Sequence, residues 1–357
     1  MSWQALGRFV VLGLLFLMSV GCASTGSPAS AICPASSQTA DGRPTVTLYF
    51  ATNRAAAPQD GAQPGFGFGR SDSLSYGRMV VSLPKDEERG SADLGPGFGI
   101  SKVEILNGGD RDFSLALRKA AAGRRAAGAA PDAFVFVHGY NESFERVAAR
   151  TAQIVHDGCF DVVPVMFSWP SRHGILDYGY DHDSAIFSRG ALADVLRLVR
   201  DAGGFDHTHL MAHSMGNWIT LEALQRLGGP PSRRLGAVIL ASPDVDVDNV
   251  RRLLPGAMAA AASVTLLPSH NDSLLAVSTF LAHGAPRAGS ATAQELADHG
   301  IESHGNFSIH RIDGPEIGEC VGGSHRCAET HPAVLSFIRA RMRAADGWRG
   351  ELAARLR

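Results

Sequence analysis

Long apolar runs, runs of like charge and internal repeats are all missing from this sequence. The longest apolar stretch, residues 9–20, has 12 residues. A membrane-spanning helix needs about 20. Charge is close to balance, with 33 Lys and Arg against 35 Asp and Glu and a formal net charge of −2. Thirty of the 33 basic residues are arginine, and they are scattered along the chain. That removes the bulk electrostatic case for a nucleic-acid partner. The glycine-rich segment at 61–69 contains Gly65, Gly67 and Gly69 but is no dinucleotide fingerprint, because it reads as a loop with no strand feeding it and no helix following. His182 between Asp181 and Asp183, and His207 with His209, lack metal-ligand spacing. No metal and no cofactor are therefore expected. Disorder is excluded as well, since 45% of the 357 residues are hydrophobic and 19% are charged.

The N-terminus is set apart from the fold. Arg8 is the only charge before Cys22, and the short apolar run has the length of a signal-peptide core. It ends in Ser19-Val20-Gly21-Cys22, which resembles a bacterial lipobox with Ser19 in the usual leucine position. The resemblance implies a lipoprotein-type signal peptide at 1–21 and lipidation at Cys22. Ala23 in the following position implies an exported protein held by its lipid anchor in the outer membrane, facing the periplasm. Residues 22–43, rich in Ser, Ala, Pro and Thr, read as a flexible linker. The folded domain is assigned to 44–345 and a tail to 346–357. An oxidising compartment permits disulfides, and Cys320 and Cys327, seven positions apart, are the expected pair.

From residue 133 onward, apolar runs of strand length alternate with amphipathic segments of helix length. Strands are expected at 133–137, 162–167, 208–212, 236–241, 263–267 and 307–311, after two earlier extended segments at 46–50 and 79–83. Helices are expected at 143–156, 184–200, 215–227, 246–253, 273–281 and 331–343. Residues 120–130, rich in Ala, Gly and Arg, read as surface. Such alternation means crossover units and a mostly parallel central sheet with helices on both faces. The active site of such a sheet lies at the carboxyl ends of its strands.

Chemistry-bearing residues stand where that rule directs attention. Ala212-His213-Ser214-Met215-Gly216 joins a strand to a helix and matches the nucleophile elbow of α/β-hydrolases, with Ala212 for the first glycine. The turn exposes the Ser214 hydroxyl and turns the Met215 N–H toward developing negative charge. His138-Gly139-Tyr140-Asn141 follows the strand at 133–137, where this fold keeps its second oxyanion donor. Tyr140 is favoured for that N–H and Asn141 is the alternative. His138, Gly139 and, after the next strand, Trp169 are expected to contact substrate, with packing at the top of the sheet an equal alternative for Trp169. A serine nucleophile needs a histidine base and a carboxylate that fixes its tautomer, in chain order Ser, acid, His. Asp272 follows the strand at 263–267 and is preferred as the acid, with N-capping as its structural alternative. Asp244 and Asp246 remain alternatives. His325, in Gly322-Gly323-Ser324-His325 between two cysteines, is preferred as the base, with His331 in reserve. His304 and His310 lie before and within the last strand. Arg54 reads as a structural ion pair, and residues 178–183 as a polar-aromatic loop with Asp183 capping the next helix.

These residues carry a family resemblance. Phe50-Ala51-Thr52-Asn53-Arg54, Phe136-Val137-His138-Gly139-Tyr140-Asn141, Phe167-Ser168-Trp169-Pro170-Ser171, His213-Ser214-Met215-Gly216-Asn217 and Asn271-Asp272-Ser273-Leu274 resemble the DUF900 group of α/β-hydrolases. The likeness runs from about residue 45 to 340 and implies the α/β-hydrolase fold with Ser214, Asp272 and His325 as triad. Around His325 the chain departs from the family pattern with Arg326 and Cys327. The expected activity is carboxylic ester hydrolysis through an acyl-enzyme. The short segment 242–263 leaves no room for a large lid, which suits small or medium ester or acyl substrates. The alternatives are a non-catalytic envelope lipoprotein on the same fold and an acyltransferase using the same triad.

Overall fold

The apolar runs of the C-terminal two thirds fold into the parallel part of one ten-stranded sheet. In the computed structural model the described residues are 33, 37–57, 65–85, 94, 97–172, 174, 177–228, 233–281, 284–313, 320 and 324–355. The signal segment, Cys22 and nearly all of the linker ahead of residue 37 lie outside them. The strands are β1 (Ser37–Gln38), β2 (Pro44–Ala57), β3 (Gly65–Ser82), β4 (Gly99–Ile105), β5 (Ala133–Val137), β6 (Val163–Ser168), β7 (Thr208–His213), β8 (Leu235–Ala241), β9 (Ala261–Leu267) and β10 (Phe307–Ile309). Their order is β10-β9-β8-β7-β5-β6-β2-β3-β4, with β1 paired to β2. Neighbours from β10 to β2 are parallel, while β1, β3 and β4 add antiparallel pairs.

Strand alternation assigns each side chain to a face. Ala133, Val135 and Val137 enter one core cluster, while Phe134 and Phe136 enter another on the opposite face. The first face is covered by α1 (Gly109–Ala126), α3 (Tyr178–Ala202), α4 (Gly216–Leu227) and α5 (Val247–Ala260). The second is covered by α2 (Phe144–Asp157) and α9 (Pro332–Arg355). Three shorter helices, α6 (Ser273–Leu281), α7 (Ala293–Asp298) and α8 (Cys327–Thr330), lie in the connections after β9.

The chain order places a crevice. From β5 the chain moves to β6 on one side, then returns to β7 on the other and continues outward to β10. Adjacent strands whose connections leave in opposite directions open a crevice at their carboxyl ends. Here those ends are Val137 and Ala212, which are register partners.

Several expectations need correction. The segment at 61–69 is no loop beyond residue 64: Gly65 to Gly69 begin the 18-residue β3. A Cβ at Gly67 would stand 3.1 Å from that of Ala57 on the neighbouring β2, so the glycines permit close pairing. Residues 120–126 belong to α1, whose Phe113, Leu117 and Ala121 lie on one buried stripe four residues apart, although apart from Ala121 the segment 120–130 is at the surface as expected. Helix α3 starts at Tyr178, so residues 178–183 form its first turns and Asp183 caps nothing. The final helix runs on to Arg355, through the boundary drawn at 345.

Two cystines close the fold. Cys320–Cys327 is the expected pair, and Cys33–Cys159 joins residues 126 positions apart. Closing the larger loop removes about 5 kcal/mol of unfolded-chain entropy, against about 2.5 kcal/mol for the smaller.

Two buried imidazoles serve the frame as acceptors. His209 Nδ1 accepts from the Ala237 N–H at 3.0 Å, and His138 Nε2 accepts from the Trp169 N–H at 3.1 Å. Burial drives His209 down to about 4 and His138 well below its ordinary range. Unfolded, both titrate near 6.5. A depressed histidine contributes stability that is complete above the unfolded value and is lost as pH falls toward the folded one. Stability should therefore drop below about pH 6.5 by about 1.4 kcal/mol per pH unit per ring. Urea midpoints at pH 7.5 and 5 measure it, and equal midpoints would refute the neutral-acceptor role.

Candidate active site

Ser214 occupies a strained turn directly after β7. Its φ is +51°, a left-handed conformation that costs a non-glycine residue about 1–3 kcal/mol. Local bonds hold it there. The Ser214 N–H donates to Ala241 O at 3.0 Å, and Ser214 O accepts from the Asn217 N–H, the Asn217 Nδ2 and the Asp244 N–H at 3.1, 3.0 and 3.2 Å. The neighbouring loops approach so closely that only hydrogen fits at two positions. A Cβ at Gly216 would lie 2.3 Å from His138 O, and one at Gly139 would lie 2.9 Å from Ser214 Cβ.

Asp272 meets His325. The carboxylate is buried at the end of β9, and its Oδ2 lies 2.6 Å from His325 Nδ1. Its Oδ1 accepts from the Leu274 and Leu275 N–H groups, both at 3.0 Å. The capping and histidine-holding readings of this residue are therefore both true. An ionised carboxylate only accepts, so the His325 proton sits on Nδ1 and Nε2 keeps its lone pair. Ser214, Gly139, Tyr140 and His325 line one cavity of about 290 Å³ at the β5–β7 crevice. His331 stands elsewhere, at the head of α9, where Nδ1 accepts from the Ala333 N–H. Asp246 caps α5 through the Asn249 N–H. Asp244 lines the cavity but bonds Tyr178, Ser278 and Arg287.

The profile of a family described as alpha/beta hydrolase of unknown function, DUF900, matches residues 126–334. The chain belongs to this family. An uncharacterized protein, alr1448, of Nostoc is 35% identical over 63 residues, 18% of this chain and 16% of that protein's length. Among solved structures, a cold-adapted esterase from an Arctic intertidal metagenomic library, in its zinc-bound form, is 12% identical, covering 81% of this chain and 99% of its own, at TM-score 0.40. Naproxen esterase from Bacillus subtilis is 12% identical, covering 84% and 91%, at TM-score 0.34.

Behind His325 this DUF900 hydrolase has a buried charge network that sequence reasoning missed. His213 Nε2 donates to His325 O at 2.8 Å, and His213 Nδ1 lies 3.1 Å from Glu329 Oε1. Arg326 bonds Glu142 at 2.8 Å and Glu329 at 3.3 Å, and Arg146 bonds Glu142 at 3.0 Å. Burial, with smaller contributions from His325 and Arg326, pushes the His213 ring down to about 4 against the upward pull of the Glu329 carboxylate and the His325 carbonyl. Burial likewise raises Glu329, but His213, Arg326 and Arg150 outweigh it and hold the carboxyl below its usual range. Both His213 nitrogens face acceptors, so geometry favours a proton shared between Nδ1 and Oε1. The segment carrying His325 is thereby tied to β7 and to the start of α2. No periodic pattern in Cys327-Ala328-Glu329-Thr330 announces a buried carboxylate.

Two of the expected substrate contacts lie away from the cavity. His138 and Trp169, expected at the substrate, are buried and stack on each other with centroids 4.8 Å apart. Trp169 Nε1 also donates to His138 O at 2.9 Å, so the pair is a brace beneath the loop. Asn141 is ruled out as second donor by its N–H, which donates to Asp181 Oδ2 at 3.1 Å. Arg54 is structural but forms no ion pair among the described residues. It donates to Ser168 Oγ and to the carbonyls of Ser171, Glu142 and Gly67. Of the segment 178–183, Tyr178 reaches the cavity, while Asp181 is buried beneath it. No cluster of three metal-ligating residues occurs among the described residues.

Glu329→Ala should cost about 3–5 kcal/mol, since it leaves Arg150 and Arg326 short of a buried partner. Glu329→Gln should cost less, because its amide can donate to His213 Nδ1. Urea unfolding of the two variants tests this, and equal losses would count against the shared proton.

Proposed function

We propose that this chain is a serine hydrolase acting on carboxylic esters through an acyl-enzyme. One observation carries the reading: Asp272 holds His325 by Nδ1 at 2.6 Å in the cavity that Ser214 enters from its strained turn. Ser214 Oγ attacks the ester carbonyl while His325 Nε2 takes the hydroxyl proton. The tetrahedral oxyanion is met by the N–H groups of Met215 and Tyr140. Collapse breaks the bond to the alcohol, which leaves with the proton returned by His325. Water, deprotonated by the same nitrogen, then attacks the acyl-serine and frees the acid and Ser214. Asp272 keeps its charge throughout and stabilises the imidazolium of each half-reaction.

Ser214→Ala should abolish labelling by a fluorophosphonate probe and ester turnover, with the melting temperature within a few degrees of the parent. Retained labelling in that variant would falsify the assignment.

We further propose that the protein is exported and lipid-anchored at Cys22. The short apolar run ending in Gly21-Cys22 motivates this, and two cystines suit an oxidising compartment. A metabolically incorporated fatty-acid analogue should label the parent and not Cys22→Ser. An unlipidated mature N-terminus at another residue would overturn it.

A further inference from the structure

Helix α6 follows Asp272 directly and forms one wall of the cavity through Leu274, Leu275, Val277 and Ser278. Its sequence, Ser-Leu-Leu-Ala-Val-Ser-Thr-Phe-Leu, contains no charged residue. A helix that is apolar on all sides is ordinarily buried. Here only part of it is. Leu275 and Ser278 face inward and are buried, whereas Leu274 is 58% exposed, Val277 56% and Phe280 81%. These three recur at every third residue, so they make one stripe about 9 Å long, from the cavity outward. Of six exposed large hydrophobic residues among the described ones, three lie on this stripe.

Most polar side chains around the same cavity are already bonded within the protein. Asp244 accepts from the Tyr178 and Ser278 hydroxyls and pairs with Arg287. Glu142 pairs with Arg146 and Arg326. The Tyr140 hydroxyl donates to Gly174 O. A sugar, peptide or charged acyl group would have to break these bonds to gain its own. A hydrocarbon chain needs none of them. The cavity, about 290 Å³, is also just smaller than the ~300–1,000 Å³ of ligand pockets. A chain longer than the cavity finds a continuous apolar path out of it over α6.

We propose that the acyl part of the substrate is a medium to long unbranched hydrocarbon chain that runs from Ser214 along Leu274 and Val277 to Phe280. This rests on the serine-hydrolase reading, and it extends the small or medium esters expected from the short 242–263 segment.

The experiment has two arms. In the first, kcat/KM is measured for p-nitrophenyl esters of four to twelve carbons. A fully buried methylene is worth about fourfold, and a chain lying on a half-open wall should gain about twofold per carbon. Phe280→Ser should lower the ratio of the twelve-carbon to the four-carbon ester on the order of tenfold. Leu115→Ser, at an exposed leucine on α1, should leave that ratio unaltered. In the second arm, dodecanoate and butanoate are titrated calorimetrically against the Ser214→Ala chain, with and without Phe280→Ser. Tighter binding of dodecanoate, weakened by Phe280→Ser, supports the proposal even where no ester is turned over, an outcome that would sink the serine-hydrolase reading alone. An unchanged ester ratio in Phe280→Ser, or equal binding of the two acids, overturns the proposal. So does loss of binding to phosphatidylglycerol vesicles in Phe280→Ser with the ester ratio intact, which would give the stripe to a lipid surface instead.

Discussion

The candidate site depends on one buried carboxylate whose two oxygens face different elements. Asp272 Oδ1 terminates the first turn of α6, and Oδ2 fixes the His325 imidazole. A helix cap contributes about 1 kcal/mol, and a charge-assisted hydrogen bond about 1.5–3 kcal/mol. The same carboxylate that sets the tautomer of His325 therefore also sets where α6 begins. A shift at Asp272 would move the base and the cavity wall together. Strand β9 supplies the rigidity for this, since it is hydrogen-bonded on both sides, to β8 and β10.

The other half of the site is made by close approach. Val137 and Ala212 are neighbours in register, and the loops that follow them are pressed together until glycine is required at 139 and 216. Beneath that contact the His138–Trp169 stack joins the end of β5 to the end of β6. Behind it, Glu142, Arg326, Glu329 and His213 connect α2, the histidine segment and β7. Buried charges of this kind add little net stability compared with apolar packing, but breaking one partner is costly. Their effect is to make one arrangement of the His325 segment much better than its alternatives.

The sequence was informative where one physical signal dominated. Strands β5 to β9 are short, mostly apolar and bounded by turn residues, so the sequence places each to within two residues. Ser214 directly follows β7 and Asp272 stands in the turn between β9 and α6, so position alone singles out both candidates. His325 needed its flanking cysteines and the chain order as well. The N-terminal third was harder. Strands β2 and β3 pair over their length with polar and glycine residues on one side, so their apolar alternation covers only part of each. Helix α1 is rich in Ala and Arg and shows the core a narrow stripe. His138 packs where substrate contact is expected, and Trp169 takes the packing alternative, because position after a strand fixes the height of a residue above the sheet but not the direction of its ring. The Glu329–His213 contact and the Cys33–Cys159 bridge join residues more than 100 positions apart, and nothing local marks either partner.

That long bridge has a mechanical consequence. Strand β1 and the first residues of β2 are held to the sheet by a few hydrogen bonds, Ser37 and Gln38 pairing with Thr45 and Pro44. Cys33 precedes them and is covalently joined to Cys159, just past the end of α2. Tension applied to the chain ahead of Cys33 is thus divided, and the stiff branch leads through sulfur to the junction of α2 and β6. Strand β1 cannot be peeled from its end while the bridge is closed. A tether at the N-terminus would pull on the junction of α2 and β6 and leave β1 slack.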